Sequence, residues 1–136
     1  MKKNANIQKK NHFRFKRSWN FKKHILKFGS FGFKLTQTYC ITDLQENLLK
    51  LIILKHLKKI SVLKTKVFFN FKCFYSATKL PLESRMGKGK GEICHFFGYY
   101  KKGFVLFELK TFSLINAINL QAQINKKKII KLKIIF

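Results

Sequence analysis

A short stretch of alternating glycine and basic residues, Arg85-Met86-Gly87-Lys88-Gly89-Lys90-Gly91, most constrains how this chain can fold. Glycine has no Cβ and readily adopts positive φ, so the stretch can turn sharply and lie close to another molecule. Its bare N–H groups and its lysines can then meet phosphates at short range. With the only proline, Pro81, just before it, we expect a loop over residues 76–91 that touches a nucleic-acid backbone and is not a catalytic site.

The charge of the chain indicates a polyanionic partner. The chain has thirty Lys and Arg and five Asp and Glu, which gives a formal net charge of +25 on 136 residues. Repulsion among so many like charges opposes a compact free domain. Nucleic acid fits best, because its phosphates are dense and release counterions on binding. An anionic membrane surface is the second candidate, although no stretch approaches the ~20 apolar residues of a membrane span. With 46% hydrophobic residues, the chain is too apolar for a disordered tail.

The residues do not indicate catalysis, a cofactor or a metal site. The five acids are scattered, so paired carboxylates for acid–base or metal chemistry are not evident. The glycine-rich stretch lacks the Gly-Lys-Ser/Thr ending of a phosphate loop and is not the G-x-G-x-x-G fingerprint. Cys94 and His95 could supply two metal ligands, but a tetrahedral zinc site needs two more. We expect that the protein is not an enzyme and binds no cofactor. The three cysteines, Cys40, Cys73 and Cys94, are expected to be small buried apolar residues.

Residues 1–27 form a basic segment of their own. They contain ten Lys or Arg, no acid, no Gly and no Pro, and aromatic residues recur among them: Phe13, Phe15, Trp19 and Phe21. This composition is typical of a tail laid along RNA, with cations on phosphates and rings available to stack on bases. A mitochondrial import peptide is the rival interpretation, but such peptides are usually rich in Ser and Arg. We expect an RNA-binding extension over 1–27 and a single domain over 28–136.

The domain alternates strand and helix patterns. Residues 28–35 alternate bulky with small or polar residues and predict a strand whose glycines allow close approach of another backbone. A capping box of Thr42 and Gln45 begins a helix, and acids in its first turn and cations in its last suit the helix dipole. These features favour packing on a sheet over lying on a membrane. The expected apolar face consists of Leu44, Leu48, Leu51, Ile52, Leu54 and Leu57.

The second half of the chain predicts further strands and a second helix. Residues 62–75, which are rich in β-branched and aromatic residues, predict one strand. Residues 93–100 and 104–109 predict a hairpin that turns at Lys101-Lys102-Gly103. Ser113 can cap a helix that runs to about Ile124. Residues 129–136 predict a final strand. One side of that helix is expected to carry Leu114, Ala117, Ile118 and Gln121.

Together these patterns predict an α+β fold. We expect a two-layer sandwich in which two helices pack on a mixed or antiparallel sheet. The basic N-terminal extension and the Gly/Lys-rich loop are additions to that sandwich.

Four motifs point to a known family, because they occur in the order of that family's motifs and with nearly the same spacing. They are Phe28-Gly29-Ser30-Phe31-Gly32, Pro81 with the Arg85–Gly91 stretch, Gly103-Phe104-Val105-Leu106-Phe107-Glu108, and Ile130-Lys131-Leu132-Lys133-Ile134-Ile135. They resemble the FGSFG, KP-x-x-x-RMGKGKG, GKVLYE or GRVLFE, and IKTKFV motifs of the large-subunit ribosomal protein L-sixteen family of bacteria and organelles. The resemblance covers about residues 28–136.

The chain also departs from that family. Where the family has Glu-Tyr-Trp-Val after the loop, this chain has Cys94, His95, Phe96 and Phe97, and Lys102 replaces a Pro before the turn glycine. Sixteen Phe and a strong preference for Lys over Arg fit A/T-rich codons. These features indicate a divergent, organelle-encoded protein of the mitochondrial ribosome, and a plastid ribosome is the alternative.

The resemblance implies a structural constituent of the large ribosomal subunit that is not an enzyme. It implies binding to large-subunit rRNA near the peptidyl-transferase and A-site region, contact with A-site tRNA that helps to position it, late entry into assembly, and neighbouring large-subunit proteins as partners. A cationic amphipathic membrane-binding protein is the alternative function, although the Gly/Lys-rich loop has no purpose in it.

Fifteen residues are expected to bind rRNA or tRNA. Arg85 is favoured for a specific contact, because its planar guanidinium can bind a phosphate through two hydrogen bonds. Met86 can pack on a sugar or base, or anchor the loop on the domain. The full set is Arg14, Lys16, Arg17, Lys22, Lys23 and Lys27 in the extension, Lys34 and Lys79 in the domain, and Arg85, Met86, Gly87, Lys88, Gly89, Lys90 and Gly91 in the loop.

Overall fold

The structure is a computed structural model that describes residues 24–60, 65–83, 87 and 89–136. Its seven strands and two helices confirm the α+β class. In chain order they are β1 (Phe31–Leu35), β2 (Tyr39–Thr42), α1 (Asp43–Lys59), β3 (Lys66–Phe69), β4 (Tyr75–Lys79), β5 (Glu92–Tyr100), β6 (Val105–Lys110), α2 (Leu114–Lys126) and β7 (Leu132–Ile135).

The strands divide into two antiparallel sheets. One has the order β3-β6-β1-β7 and the other the order β2-β5-β4. In the larger sheet Phe33 of β1 lies opposite Phe107 of β6 and Ile134 of β7. The Phe33 and Phe107 rings stack with their centroids 4.3 Å apart. One buried cluster joins these rings to both helices, which contribute Leu49, Ile53 and Leu57 from α1 and Ala117, Leu120 and Ile124 from α2.

The strand predicted over residues 62–75 is wrong in extent. Within the described part of that range, β3 and the start of β4 are separate and belong to different sheets. Between them, the chain is held by a backbone hydrogen bond from the Asn70 N–H to the Leu106 carbonyl and by side-chain contacts. The Asn70 amide donates to Glu108, and the Cys73 N–H donates to Glu46. Because β4 runs to Lys79, the loop also begins later than predicted.

The predicted hairpin between β5 and β6 is also wrong. Both strands exist, but β5 pairs with β2 and β4, whereas β6 pairs with β1 and β3. The turn at Lys101-Lys102-Gly103 therefore carries the chain from one sheet to the other. Gly103 has a φ of +88°, which a glycine adopts without the strain that a Cβ causes.

Helix α1 begins as predicted. Thr42 Oγ1 accepts the Gln45 N–H at 3.4 Å, and Gln45 Oε1 accepts the Thr42 N–H at 3.1 Å. The prediction of its buried apolar face is largely wrong. Four leucines of that face are exposed, and Leu44 is the most exposed of them at 76%. The helix instead buries Glu46, Leu49, Ile53, His56 and Leu57.

Helix α2 shows the same discrepancy on a smaller scale. Ser113 is its N-cap residue, although its hydroxyl makes no capping hydrogen bond to any described residue. On the side predicted to carry Leu114 and Ala117, Ala117 is buried, but Leu114 and Ile118 are exposed. His56 of α1 and Gln123 of α2 are joined by a 2.9 Å hydrogen bond between Nδ1 and Oε1. Across the described residues, neither helix is long and apolar enough to span a bilayer.

Candidate nucleic-acid interface

The Gly/Lys-rich loop is the tip of a β-hairpin. Strands β4 and β5 pair antiparallel, and Lys79 at the end of β4 lies opposite Glu92 at the start of β5. Residues 80–91 connect these two positions, so the hairpin carries the loop at one end of the three-stranded sheet. Arg85, Met86 and Lys88 lie outside the described residues.

The three loop glycines have different surroundings. A Cβ added to Gly87 or Gly89 would meet no described atom within 4 Å, whereas a Cβ on Gly91 would lie 2.6 Å from the Lys79 carbonyl oxygen. Gly91 is therefore required where the hairpin closes. Among the described residues there is no steric reason for glycine at positions 87 and 89, so no described side chain or backbone covers them. A cavity of about 290 Å³ at this tip is lined by Leu80, Pro81, Gly87, Gly89, Lys90, Gly91 and Glu92.

The hairpin tip carries a net positive charge. Residues 79–92 contain four cations and two acids, Glu83 and Glu92. Lys79 and Lys90 are both exposed. Exposed ammonium groups beside open glycine backbone can hold phosphate oxygens, because both groups donate hydrogen bonds to an anion.

The structure brings together one part of the predicted site and separates it from another part. Lys79, Gly87, Gly89, Lys90 and Gly91 meet at the hairpin tip. Lys34 lies in β1 of the other sheet, where it faces Lys133 of β7. Lys27 is exposed and precedes β1. The remaining predicted residues of the extension lie outside the described part: Arg14, Lys16, Arg17, Lys22 and Lys23.

A buried carboxylate, Glu108, fixes the segment that leads into β1. Its side chain has no exposed surface, and its Oε2 accepts the N–H groups of Lys27, Phe28 and Gly29 at 3.0, 2.7 and 2.8 Å. Its Oε1 accepts the Asn70 amide at 3.0 Å. Burial raises the pKa of Glu108, but the donated hydrogen bonds lower it by more, so that the net shift is downward and the carboxylate is ionised at neutral pH.

Gly29 makes this arrangement possible. A Cβ there would lie 2.8 Å from the Leu109 carbonyl oxygen and 2.8 Å from the Glu108 Cβ. This contact confirms the predicted close approach of another backbone to the first motif. The role of Glu108 escaped the sequence prediction, although a single acid inside the apolar run Val105–Leu109 is a recognisable signal of a buried, hydrogen-bonded carboxylate.

Glu46 makes a second anchor of the same kind. It forms an ion pair with Lys50, and its Oε2 accepts the Cys73 N–H at 2.7 Å. Burial raises the pKa of Glu46, and the contacts with Lys50 and Cys73 outweigh that effect and lower it. The anchor ties the segment before β4 to helix α1.

The cysteines do not form a metal site in the described part of the chain, where no group of three or more His, Cys, Asp or Glu could hold an ion. Cys73 is buried as predicted, but the prediction is wrong for Cys40 and Cys94, which are exposed. Both lie on strands of the three-stranded sheet, where alternate side chains face outward. Burial raises the pKa of Cys73 far above its ordinary range, so its thiol is unreactive at neutral pH.

Comparisons with known proteins identify the family. The sequence matches the family described as ribosomal protein L16p/L10e over residues 2–135. The large ribosomal subunit protein uL16m of Chondrus crispus is 34% identical over 123 residues, 89% of each chain. The protein uL16c of Cyanidium caldarium is 35% identical over 65% of this chain and 61% of its own length. The protein uL16 of Thermosipho africanus is 35% identical over 62% of this chain and 57% of its own length. The chain therefore belongs to the ribosomal protein L16p/L10e family, whose members are structural, non-enzymatic proteins of the large ribosomal subunit.

Proposed function

We propose that this protein binds large-subunit rRNA through its hairpin tip and its basic extension, in the ribosome of a mitochondrion. The observation that carries the proposal is the open space at Gly87 and Gly89, where an added Cβ would meet no described atom within 4 Å, close to the exposed cations Lys79 and Lys90. Similarity to the uL16m protein of Chondrus crispus supports the mitochondrial setting, and similarity to a uL16c protein keeps the plastid as the alternative.

The tip has the chemistry to enter a narrow space between RNA strands. Without side chains at positions 87 and 89, the backbone can come within hydrogen-bond distance of phosphate oxygens. Lys79, Arg85, Lys88 and Lys90 supply the compensating charge. Arg85 is the residue that we assign to a bidentate phosphate contact, because a guanidinium offers two parallel donors and an ammonium does not.

The basic extension adds a second contact to the same RNA. Its ten Lys or Arg carry charge without any acid, and its aromatic residues suit stacking on unpaired bases. Lys27, where it joins the domain, is held in place by the Glu108 carboxylate. Residues Arg14, Lys16, Arg17, Lys22 and Lys23 are proposed to neutralise phosphates along that path.

The family resemblance supports a more specific placement. We place the hairpin tip near the peptidyl-transferase and A-site region, where it helps to position A-site tRNA, and we place entry of the protein late in subunit assembly. In this role the protein orders RNA and neighbouring proteins and performs no chemical step.

Co-sedimentation tests this function. The native protein is followed through a density gradient of organelle lysate, after a high-salt wash, by mass spectrometry of each fraction. We expect recovery at one copy per large ribosomal subunit. Recovery only in membrane or free fractions would contradict the proposal. The membrane-binding alternative would then gain weight, because Leu44, Leu48 and Leu51 are exposed on α1.

Two glycine variants separate contact with RNA from folding. Gly89→Val should leave the domain folded, because the added side chain enters open space, and should impair subunit assembly or tRNA placement. Gly91→Val should destabilise the isolated domain, because its Cβ would clash with the Lys79 carbonyl. Circular dichroism measures folding, and gradient profiles measure assembly. Normal assembly with Gly89→Val, or an unfolded Gly89→Val domain, would refute the RNA-contact role of the tip.

A further inference from the structure

An aromatic cleft lies at the other end of the β4–β5 hairpin from the Gly/Lys-rich loop. It is a cavity of about 470 Å³, and seven of the thirteen described residues that line it are aromatic. Tyr75 at the start of β4 lines the cleft, whereas Lys79 at the other end of β4 adjoins the loop. At roughly 3.4 Å per residue, the two ends of β4 are about 14 Å apart.

The floor of the cleft is preorganised by Tyr100. Its hydroxyl donates to the Lys72 carbonyl at 2.8 Å and accepts the Lys72 N–H at 2.9 Å. Its ring lies 4.9 Å from that of Phe104 and meets Phe71 edge to face. Burial raises the pKa of Tyr100, so the hydroxyl remains a donor at neutral pH. These contacts hold the Tyr100 ring in place at the floor of the cleft.

The mouth of the cleft combines an exposed ring with cations. Phe74 is 55% exposed, and the Lys72 Nζ lies 5.5 Å from its ring centroid. Lys27 and Lys72 both line the cleft and are exposed, and none of its described lining residues is acidic. A flat apolar ring next to two ammonium groups matches a nucleotide, which has a flat base and a charged phosphate.

We infer that this cleft binds one unstacked nucleotide of an RNA strand, with its base on Phe74 and its phosphate at Lys27 or Lys72. The inference rests on the proposed rRNA-binding function and adds a third contact point to the hairpin tip and the basic extension. The volume is within the range of small-ligand sites, roughly 300–1,000 Å³. An apolar protein segment could fill the aromatic floor, but it would leave both ammonium groups without an anion.

Cross-linking of the full chain to RNA tests this inference. The probe is the organelle's large-subunit rRNA, transcribed with 4-thiouridine, irradiated in the complex and analysed by mass spectrometry of the peptides. We expect a nucleotide adduct on the peptide that contains Phe74. Phe74→Ala should weaken RNA binding roughly tenfold, as for loss of one base stack, and Phe74→Trp should restore it.

Phe136→Ala is the matched control. Phe136 is 79% exposed, lies against Phe31 of β1 and does not line the cleft, so its removal should leave RNA affinity unchanged. If the wild-type chain binds the rRNA but Phe74→Ala binds equally well and no adduct forms there, the cleft inference is overturned while the proposed function stands. If the wild-type chain does not bind, both fail. A chemical cross-linker applied to the same complex provides the other arm: a cross-link between the cleft and a protein segment, including residues 1–23 of this chain, would also overturn the inference.

Discussion

Glu46 and Glu108 are two of the five acidic residues in a chain with thirty Lys and Arg, and both are buried. Glu108 accepts three backbone N–H groups and Glu46 accepts one, in each case from a segment that is not in a strand. Each carboxylate thereby fixes a part of the chain that strand pairing does not hold. A buried carboxylate is stable only when such donors replace its lost hydration. Replacing either carboxylate should therefore lower the stability of the domain by a measurable amount.

Glu108→Gln should lower the free energy of unfolding by about 1.5–3 kcal/mol, the range for hydrogen bonds to a charged group. The amide keeps the shape of the side chain but loses the charge and one acceptor, while three backbone donors and the Asn70 amide remain. Urea denaturation measures the change. Glu92→Gln, an exposed carboxylate on β5, is the control and should change stability little. Equal effects of both substitutions would show that the anchor contributes nothing specific.

The stability of the domain should also fall on acidification. The pKa of Glu108 and that of Glu46 are both lowered in the folded state from their ordinary value of 4.5. Their contribution is therefore complete above pH 4.5 and is lost as pH falls below 4.5 through the lowered values. Urea midpoints measured between neutral pH and acid should show this loss, and Glu108→Gln should flatten the curve. An unchanged slope in the variant would argue against the Glu108 part.

Elements were predictable where their signal is local. The start of α1 follows from Thr42 and Gln45, which lie three residues apart and satisfy each other's backbone. The buried face of α1 could not be predicted, because eight Leu and Ile surround the helix and its two buried polar residues, Glu46 and His56, find partners on distant segments. The pairing of β5 and β6 was also predicted wrongly, because their true partners are distant in the sequence. A short turn between two strands does not reveal whether they pair with each other.

Thr42→Ala should destabilise the domain by about 1 kcal/mol, as for loss of an N-cap side chain. The matched substitution Ser113→Ala at the N-cap position of α2 should cost less, because the Ser113 hydroxyl caps nothing among the described residues. Urea unfolding of both variants gives the comparison. A larger loss for Ser113→Ala than for Thr42→Ala would contradict the assignment of the capping box.

For the molecule as a whole, charge and shape were predictable to different degrees. The glycine–lysine loop is contiguous in the sequence, so its role as a tip could be anticipated from seven residues. The aromatic cleft combines residues from positions 25 to 105, and only the folded chain brings them together. The charge imbalance, in contrast, is fixed by composition and predicts how binding must respond to salt.

RNA affinity should decrease steeply with salt. Each phosphate neutralised contributes roughly −0.7 to −0.9 to the slope of log K against log salt concentration. The double substitution Lys79→Gln with Lys90→Gln should reduce the magnitude of that slope by about 1.4–1.8. Lys126→Gln with Lys127→Gln at the exposed end of α2 serves as the control. A flat salt response of the wild-type chain would contradict phosphate binding.

The Glu108 anchor has a further consequence for the basic extension. Because the carboxylate holds the N–H groups of residues 27–29, the extension leaves the domain from a fixed point that adjoins the aromatic cleft. Once the domain is on its RNA, every contact of the extension becomes intramolecular, and its strength depends on the effective concentration that the tether sets. Contacts too weak to form between separate molecules can then add avidity. The same twenty-odd residues, supplied as a free peptide, would lose that gain although their chemistry is unchanged.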